Sequence, residues 1–171
     1  MYYRFLETSA RMTLVFVLLM IVNPLFSQEL TYTDGANAWN PDSLGNHRAV
    51  LAFNGNATIA KATIAWRRSD LNPSDKRIII QDATTGKKIT NVQVTSFDRE
   101  VGTILFEPIS GKGIYYVYYM PYKYEGLKSY YPKGVYWKPE QTASDKWLTT
   151  IDKSMLINCS VKEIQSVNAF N

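Results

Sequence analysis

The chain has very little of the chemistry that builds metal and disulfide sites. Its 171 residues include one cysteine, Cys159, and one histidine, His47. A single thiol excludes an intramolecular disulfide and a cysteine-based metal site, and a single imidazole excludes a cluster of histidine ligands. We therefore expect no metal and no cofactor, and a domain that depends on its apolar core for stability.

Charge is scattered and nearly balanced. The sequence has 19 Lys and Arg against 15 Asp and Glu, a formal net charge of +4, and never more than two adjacent basic residues. A nucleic-acid-binding surface usually shows as a basic stripe or cluster. The sequence therefore predicts that nucleic acid is not a partner.

Long hydrophobic runs are also missing. The longest uninterrupted aliphatic and aromatic run near the N-terminus covers nine residues, 14–22, and Arg4 and Arg11 precede it. A transmembrane helix needs about 20 apolar residues, whereas a basic start, a short apolar centre and a small residue before a polar segment are typical of a secretory signal peptide. We expect a signal-peptide helix in residues 1–27, cleaved after Ser27, and a secreted, periplasmic or cell-surface location. An uncleaved anchor is the alternative.

Aromatic and β-branched residues are abundant. The chain contains 12 Tyr, 7 Phe and 4 Trp, and segments rich in Val, Ile, Thr and Tyr alternate with turns of Asn, Gly, Pro and Ser. Strands are predicted at 48–53, 58–67, 77–82, 89–97, 101–106, 114–119 and 160–167. After an N-terminal extension, 28–38, this pattern predicts an all-β antiparallel sandwich over 39–171, of jelly-roll or immunoglobulin-like type.

Three local expectations refine this fold. Residues 82–88 are predicted to be a hairpin loop that joins the strands 77–81 and 89–94. Residues 121–139 are rich in Tyr, Lys and Gly without a period and are predicted to form a long aromatic loop. Residues 143–148 are predicted to form one helical turn, with Ser144 or Asp145 near its start.

The segment 66–70 carries the sharpest functional pattern. Alternation along a strand places Trp66 and Arg68 on one face and Arg67 on the other. The planar guanidinium of Arg68 suits a carboxylate, either that of Asp70 or one on another domain. The competing interpretation is that Trp66 fills the sandwich core and the arginines form an ion-pair cluster at the strand end.

The lone imidazole and the loop aromatics complete the candidate set. No Gly-x-Ser-x-Gly nucleophile elbow accompanies His47, so we expect it to bond a neighbouring loop or to face another domain. Aromatic rings stack on sugar faces or pack against a neighbouring domain, and both interpretations stay open. The residues predicted to contact carbohydrate or another domain are His47, Arg48, Arg67, Arg68, Asp70, Tyr130, Tyr131, Tyr136 and Trp137. No residue is predicted to be catalytic.

Five short motifs occur in a fixed order along the chain. They are LGNHRAV at 44–50, AWRRSD at 65–70, GIYYVYYMPY at 113–122, YPK at 131–133 and KWL at 146–148. Together they resemble the N-terminal β-sandwich domain of glycoside hydrolase family 123-like proteins of Bacteroidetes, over residues 39–168. The resemblance implies a following (β/α)-barrel that removes N-acetylgalactosamine from glycans, with the help of the substrate's 2-acetamido group and an adjacent Asp-Glu pair.

The catalytic part of that resemblance has no counterpart in this chain. The sequence contains no Asp-Glu or Glu-Asp pair, and a barrel of about 250 residues does not fit in it. We therefore expect an accessory domain, truncated before the barrel, that braces the catalytic domain of the same polypeptide and contacts glycan. The chain alone is expected not to be an enzyme, although its parent is. A free-standing carbohydrate-binding or adhesin-like sandwich is the alternative.

Overall fold

The computed structural model describes residues 30–35, 38–125, 130–131 and 133–167, and it is β-structure almost throughout. The predicted signal peptide lies outside these residues. In chain order the strands are β1 Thr31–Asp34, β2 His47–Phe53, β3 Ala60–Ala65, β4 Ile78–Asp82, β5 Val92–Phe97, β6 Val101–Phe106, β7 Gly113–Tyr119, β8 Tyr122–Glu125, β9 Lys133–Tyr136, β10 Ile157–Asn158 and β11 Ser160–Ser166. Among the described residues, no helix is both long enough and apolar enough to cross a membrane.

The strands form two packed sheets and one hairpin. The first sheet has the order β1-β11-β2-β7-β4, the second has the order β10-β3-β6-β5, and β8 pairs with β9. The predicted all-β sandwich is confirmed, and most neighbours are antiparallel. The pairs β1–β11 and β10–β3 are parallel, and in each of them the first-named strand is the edge strand of its sheet.

The core lies between the two sheets, as alternation along the strands predicts. Its inward-facing residues on two inner strands are Ala60, Ala62, Ile64 and Trp66 from the β3 segment and Tyr115, Val117 and Tyr119 from β7. The Trp66 ring stacks on Tyr119, with centroids 4.9 Å apart, and packs against Phe97 at 4.5 Å. Opposite this ring stands Gly102, where a Cβ atom would lie 1.8 Å from the indole. The prediction that Trp66 fills the sandwich core is confirmed.

Short helices cover the ends of the strands. They are α1 (Pro41–Leu44), α2 (Asp145–Leu148) and two 3₁₀ turns, Pro73–Asp75 and Lys153–Met155. The helical turn predicted at 143–148 is confirmed, and its N-cap is Ser144, whose hydroxyl accepts a hydrogen bond from the backbone N–H of Trp147. Trp147 then packs with Ile59 and Leu105 on the outer side of the second sheet.

Two local predictions need correction. The segments 77–81 and 89–94 do not form a hairpin, because β4 pairs with β7 and β5 pairs with β6, in different sheets. One isolated antiparallel bridge joins Gln81 to Lys88. Beyond that bridge the chain passes from the first sheet to the second. The predicted loop 121–139 contains the strands β8 and β9, which pair from Tyr122–Tyr136 to Glu125–Lys133.

Candidate functional site

Four polar side chains meet at one end of the sandwich, and we call them the strand-end cluster. It consists of His47 at the start of β2, Arg68 and Asp70 after β3, and Tyr136 at the end of β9. The chain turns at this end because β3 stops at Ala65 and the next strand, β4, belongs to the other sheet. The cluster therefore ties both sheets to the β8–β9 hairpin.

Arg68 lies at the centre of the cluster. Its Nε donates a hydrogen bond of 2.9 Å to Oδ2 of Asp70, and its Nη1 lies 3.4 Å from each ring nitrogen of His47. The hydroxyl of Tyr136 donates to the other oxygen of Asp70, Oδ1. The Arg68–Asp70 pair that the sequence suggested is present, through one guanidinium nitrogen. Both carboxylate oxygens of Asp70 are thus occupied by charge-assisted or hydroxyl donors.

Further contacts hold the hairpin against this end of the sandwich. The amide of Asn46 donates to the hydroxyl of Tyr122 in β8, whose ring packs against Tyr136 with centroids 5.5 Å apart. The ammonium of Lys76 lies 4.2 Å from the centroid of the Tyr136 ring, a cation–π contact. The root of the hairpin is therefore fixed by both polar and aromatic contacts.

Unusual backbone conformations surround the cluster. Among the described residues, three that are not glycine have positive φ: Arg67 at 45°, Asn72 at 50° and Met120 at 57°. Arg67 and Asn72 flank the segment with Arg68 and Asp70, and Met120 follows β7 directly. Residues other than glycine seldom adopt this left-handed backbone conformation, and such backbone strain concentrates at functional sites. Its location favours this end of the sandwich as the functional one.

The electrostatics of the cluster keep each group in one protonation state near neutral pH. Burial, together with the adjacent Arg68 cation, lowers the pKa of His47 to about 4 against a weaker opposing effect of Asp70. Burial tends to raise the pKa of Asp70, but the hydrogen bond from Tyr136 and the charge of Arg68 outweigh it and lower that pKa. Burial and the Asp70 carboxylate raise the pKa of Tyr136 to about 12.

This arrangement is better suited to fixing the positions of neighbouring loops than to transferring a proton. A general acid or base works best with a pKa near the operating pH, and His47, Asp70 and Tyr136 all titrate far from neutrality. In the described ranges, no three His, Cys, Asp or Glu side chains converge to hold a metal ion. The ion pair and the hydrogen bonds of the cluster fix the neighbouring loops.

Arg48 lies on the opposite face of the first sheet from His47. Its guanidinium carbon lies 3.7 Å from the ring centroid of Tyr116 and 4.4 Å from that of Trp39. Its Nε donates to Oε1 of Gln165 at 2.7 Å, and its Nη1 donates to the Tyr118 hydroxyl at 3.1 Å. With 6% of its surface exposed, Arg48 belongs to this outer aromatic layer and is separate from the strand-end cluster.

The remaining residues singled out from the sequence are spread around the cluster. Arg67 is exposed beside Arg68. Trp137 is partly buried in the outer layer and contacts the guanidinium of Arg77 at 5.2 Å. Tyr130 and Tyr131 are 90% and 77% exposed, and their rings meet edge to face at 4.9 Å.

Sequence reasoning missed several contributors to this end of the molecule. Asn46, Lys76 and Tyr122 bond or cover the cluster, and Leu71, next to Asp70, is 69% exposed. Asn46 and Tyr122 lie within the motifs 44–50 and 113–122, so these motifs could have identified them as candidate site residues. Lys76 had no signal, because its contact with Tyr136 joins two distant loops.

A cleft of about 380 Å³ opens beside the cluster. It lies between the two edge strands β4 and β5 and is closed on a third side by residues 139–142. Lys76 lines this cleft and also covers Tyr136, so the cleft and the strand-end cluster share a wall. A second cavity, of about 220 Å³, lies near Cys159 and Leu30, where burial raises the pKa of the thiol to about 12.

Comparison with known proteins supplies the family context. Residues 37–167, more than half of the chain, match the family model described as the glycoside hydrolase 123, N-terminal domain. No curated protein and no solved structure matches the chain. The matched range begins just before Trp39 and ends with the last described residue, Val167, so it includes every strand except β1, together with the hairpin and the strand-end cluster.

Proposed function

We propose a bracing function for this chain, which belongs to the family of glycoside hydrolase 123 N-terminal domains. The family implies an accessory domain and a catalytic domain in the parent polypeptide. In our proposal, the strand-end cluster and the β8–β9 hairpin form the surface on which the catalytic domain rests. The chain itself performs no bond cleavage.

One observation carries this proposal: large apolar side chains are exposed next to the strand-end cluster and in the hairpin whose root the cluster holds. Leu71, 69% exposed, directly follows Asp70, and Tyr130, 90% exposed, lies in the hairpin whose root the cluster holds. Exposed apolar side chains bordered by polar residues are typical of protein contact surfaces. The hydrogen bond from Tyr136 to Asp70 joins the root of the hairpin to the loop that contains Leu71.

The reaction of the parent enzyme is part of the same proposal. The family name supports hydrolysis of a glycosidic bond, and the motif resemblance supports removal of N-acetylgalactosamine with participation of the substrate's 2-acetamido group. The apolar run 14–22 supports export of the parent protein. The carboxylates for this chemistry belong to the catalytic domain in our proposal, because the described groups of the cluster titrate far from neutral pH.

The experiment compares the parent catalytic domain with and without this chain. Thermal unfolding and hydrolysis of an aryl N-acetylgalactosaminide are measured for both proteins. We expect a higher Tm and a slower thermal loss of activity in the two-domain protein. The substitutions Leu71→Ser and Tyr130→Ser are expected to reduce the difference, since burying one large apolar side chain contributes about 1.5–3 kcal/mol.

A matched control lies at the far end of the sandwich. Ile109, 47% exposed, lies between β6 and β7, away from the strand-end cluster, so Ile109→Ser should leave the Tm difference unchanged. Equal Tm and equal activity with and without this chain would contradict the bracing function. Turnover by this chain alone would contradict its non-catalytic role.

A further inference from the structure

We propose that the cleft between the edge strands β4 and β5 binds one or two units of a neutral sugar. This inference rests on the proposed function, because it takes the glycan of the parent enzyme as the source of the ligand. Protein clefts that bind small molecules have volumes of about 300–1,000 Å³, and the volume of this cleft, about 380 Å³, is at the small end of that range. Its size therefore suits a terminal sugar better than a long glycan chain.

The floor of the cleft is apolar. Ile78 of β4 and Val92 and Phe97 of β5 line it, and all three are partly buried and pack against the core between the sheets. Phe97 is held by its contact with Trp66, with ring centroids 4.5 Å apart. A sugar ring presents C–H groups on its faces, and a fixed apolar floor suits them.

Uncharged polar groups form the rim. Gln93 and Gln141 line the cleft, and in the described part of the chain neither side-chain amide has a hydrogen-bond partner. Ser74 and Thr142 add two hydroxyls. An amide donates and accepts at the same time, as a sugar hydroxyl does, so these four groups match a polyol in hydrogen-bonding character.

The charges near the cleft are mostly compensated. Oε2 of Glu140 lies 3.3 Å from Nη1 of Arg77 and 3.8 Å from Nζ of Lys88. The ammonium of Lys76 faces the Tyr136 ring. With its single carboxylate paired in this way, the cleft selects by hydrogen bonds and shape, which favours a neutral sugar over a charged ligand.

The test is a titration of the isotope-labelled chain, followed by backbone amide NMR. The probes are the methyl glycosides of N-acetylgalactosamine and of galactose, with glycerol as the control polyol. We expect saturable shifts confined to residues 74–78, 92–97 and 139–142 for a sugar, and none for glycerol. Gln93→Ala and Gln141→Ala should each weaken binding about two- to twelvefold, the effect of one hydrogen bond.

The matched control is an exposed amide on the opposite edge of the second sheet. Asn158 lies in β10 and is exposed, so Asn158→Ala should leave the sugar affinity unchanged. Absence of saturable shifts with both glycosides would overturn the inference, as would equal weakening by Asn158→Ala. The bracing function is read separately, from the Tm of the parent catalytic domain, so the two proposals fail independently.

Discussion

Between pH 7 and pH 5, the stability of this domain should depend on pH mainly through one group, His47. Burial and the adjacent Arg68 lower its pKa from 6.5 to about 4 in the folded state. In the unfolded chain the imidazole titrates near its ordinary value of about 6.5. The unfolded state therefore binds more protons between pH 4 and pH 6.5, so stability is complete above pH 6.5 and falls as the pH decreases toward 4.

The size of the effect follows from the two pKa values. Each pH unit of difference corresponds to about 1.36 kcal/mol, so the fall from 6.5 to about 4 amounts to about 3 kcal/mol in total. Between pH 7 and pH 5, where the carboxylates remain largely ionised, the expected loss of unfolding free energy is about 2 kcal/mol. This is a large fraction of the total stability of a small domain.

The assay is urea unfolding at pH 7, 6 and 5, with the imidazole followed by proton NMR in the folded state. His47 is the only histidine, so its resonance needs no assignment. The variant His47→Gln cannot titrate in this range and should lose the pH dependence, whatever its stability at pH 7. An imidazole that titrates near 6.5 in the folded protein, or equal stability of the wild type at pH 7 and pH 5, would refute the reasoning.

Three further predictions follow from individual contacts. Tyr136→Phe removes the hydrogen bond to the Asp70 carboxylate and should lower the unfolding free energy by about 1.5–3 kcal/mol at pH 7, measured by urea unfolding. Gly102→Ala places a methyl group against the indole of Trp66 and should lower the unfolding free energy, measured by urea unfolding, by about 1–3 kcal/mol or prevent folding. Gly113→Ala places its methyl group in open space and should lower the unfolding free energy less. Cys159 should resist alkylation at pH 8 in the folded state and react after unfolding, because burial raises its pKa to about 12.

Each of these predictions has an outcome that would contradict it. Tyr130 is exposed, so Tyr130→Phe is the control for Tyr136→Phe, and an equal effect of the two would show that the Asp70 contact contributes nothing. Equal stability of the two glycine variants would contradict the close packing at Gly102. Fast alkylation of Cys159 in the folded protein would contradict its burial.

The parts of the fold that depend on local alternation were predictable. The inward set of the β3 segment follows from alternation alone, because a strand sends successive side chains to opposite faces. The same rule separates His47 from Arg48, which are adjacent in β2 but lie on opposite faces of the sheet. Their grouping as one candidate site came from sequence proximity, and alternation argued against it.

The parts that depend on distant partners were not predictable. β8 and β9 form an isolated two-stranded hairpin, which is only marginally stable alone, and the contacts of Tyr122 and Tyr136 with distant residues hold it. The divergence of β4 and β5 into different sheets likewise depends on β7 and β6 as partners. No local pattern in 121–139 or 82–88 carries that information.

The most direct test of the bracing function is a hydrogen-exchange comparison of this chain alone and joined to the parent catalytic domain. We expect added protection at residues 68–71 and in the strands β8 and β9, with little change in β10. Protection confined to other surfaces, or no change on joining the two domains, would contradict the claim that the strand-end cluster and the hairpin support the catalytic domain.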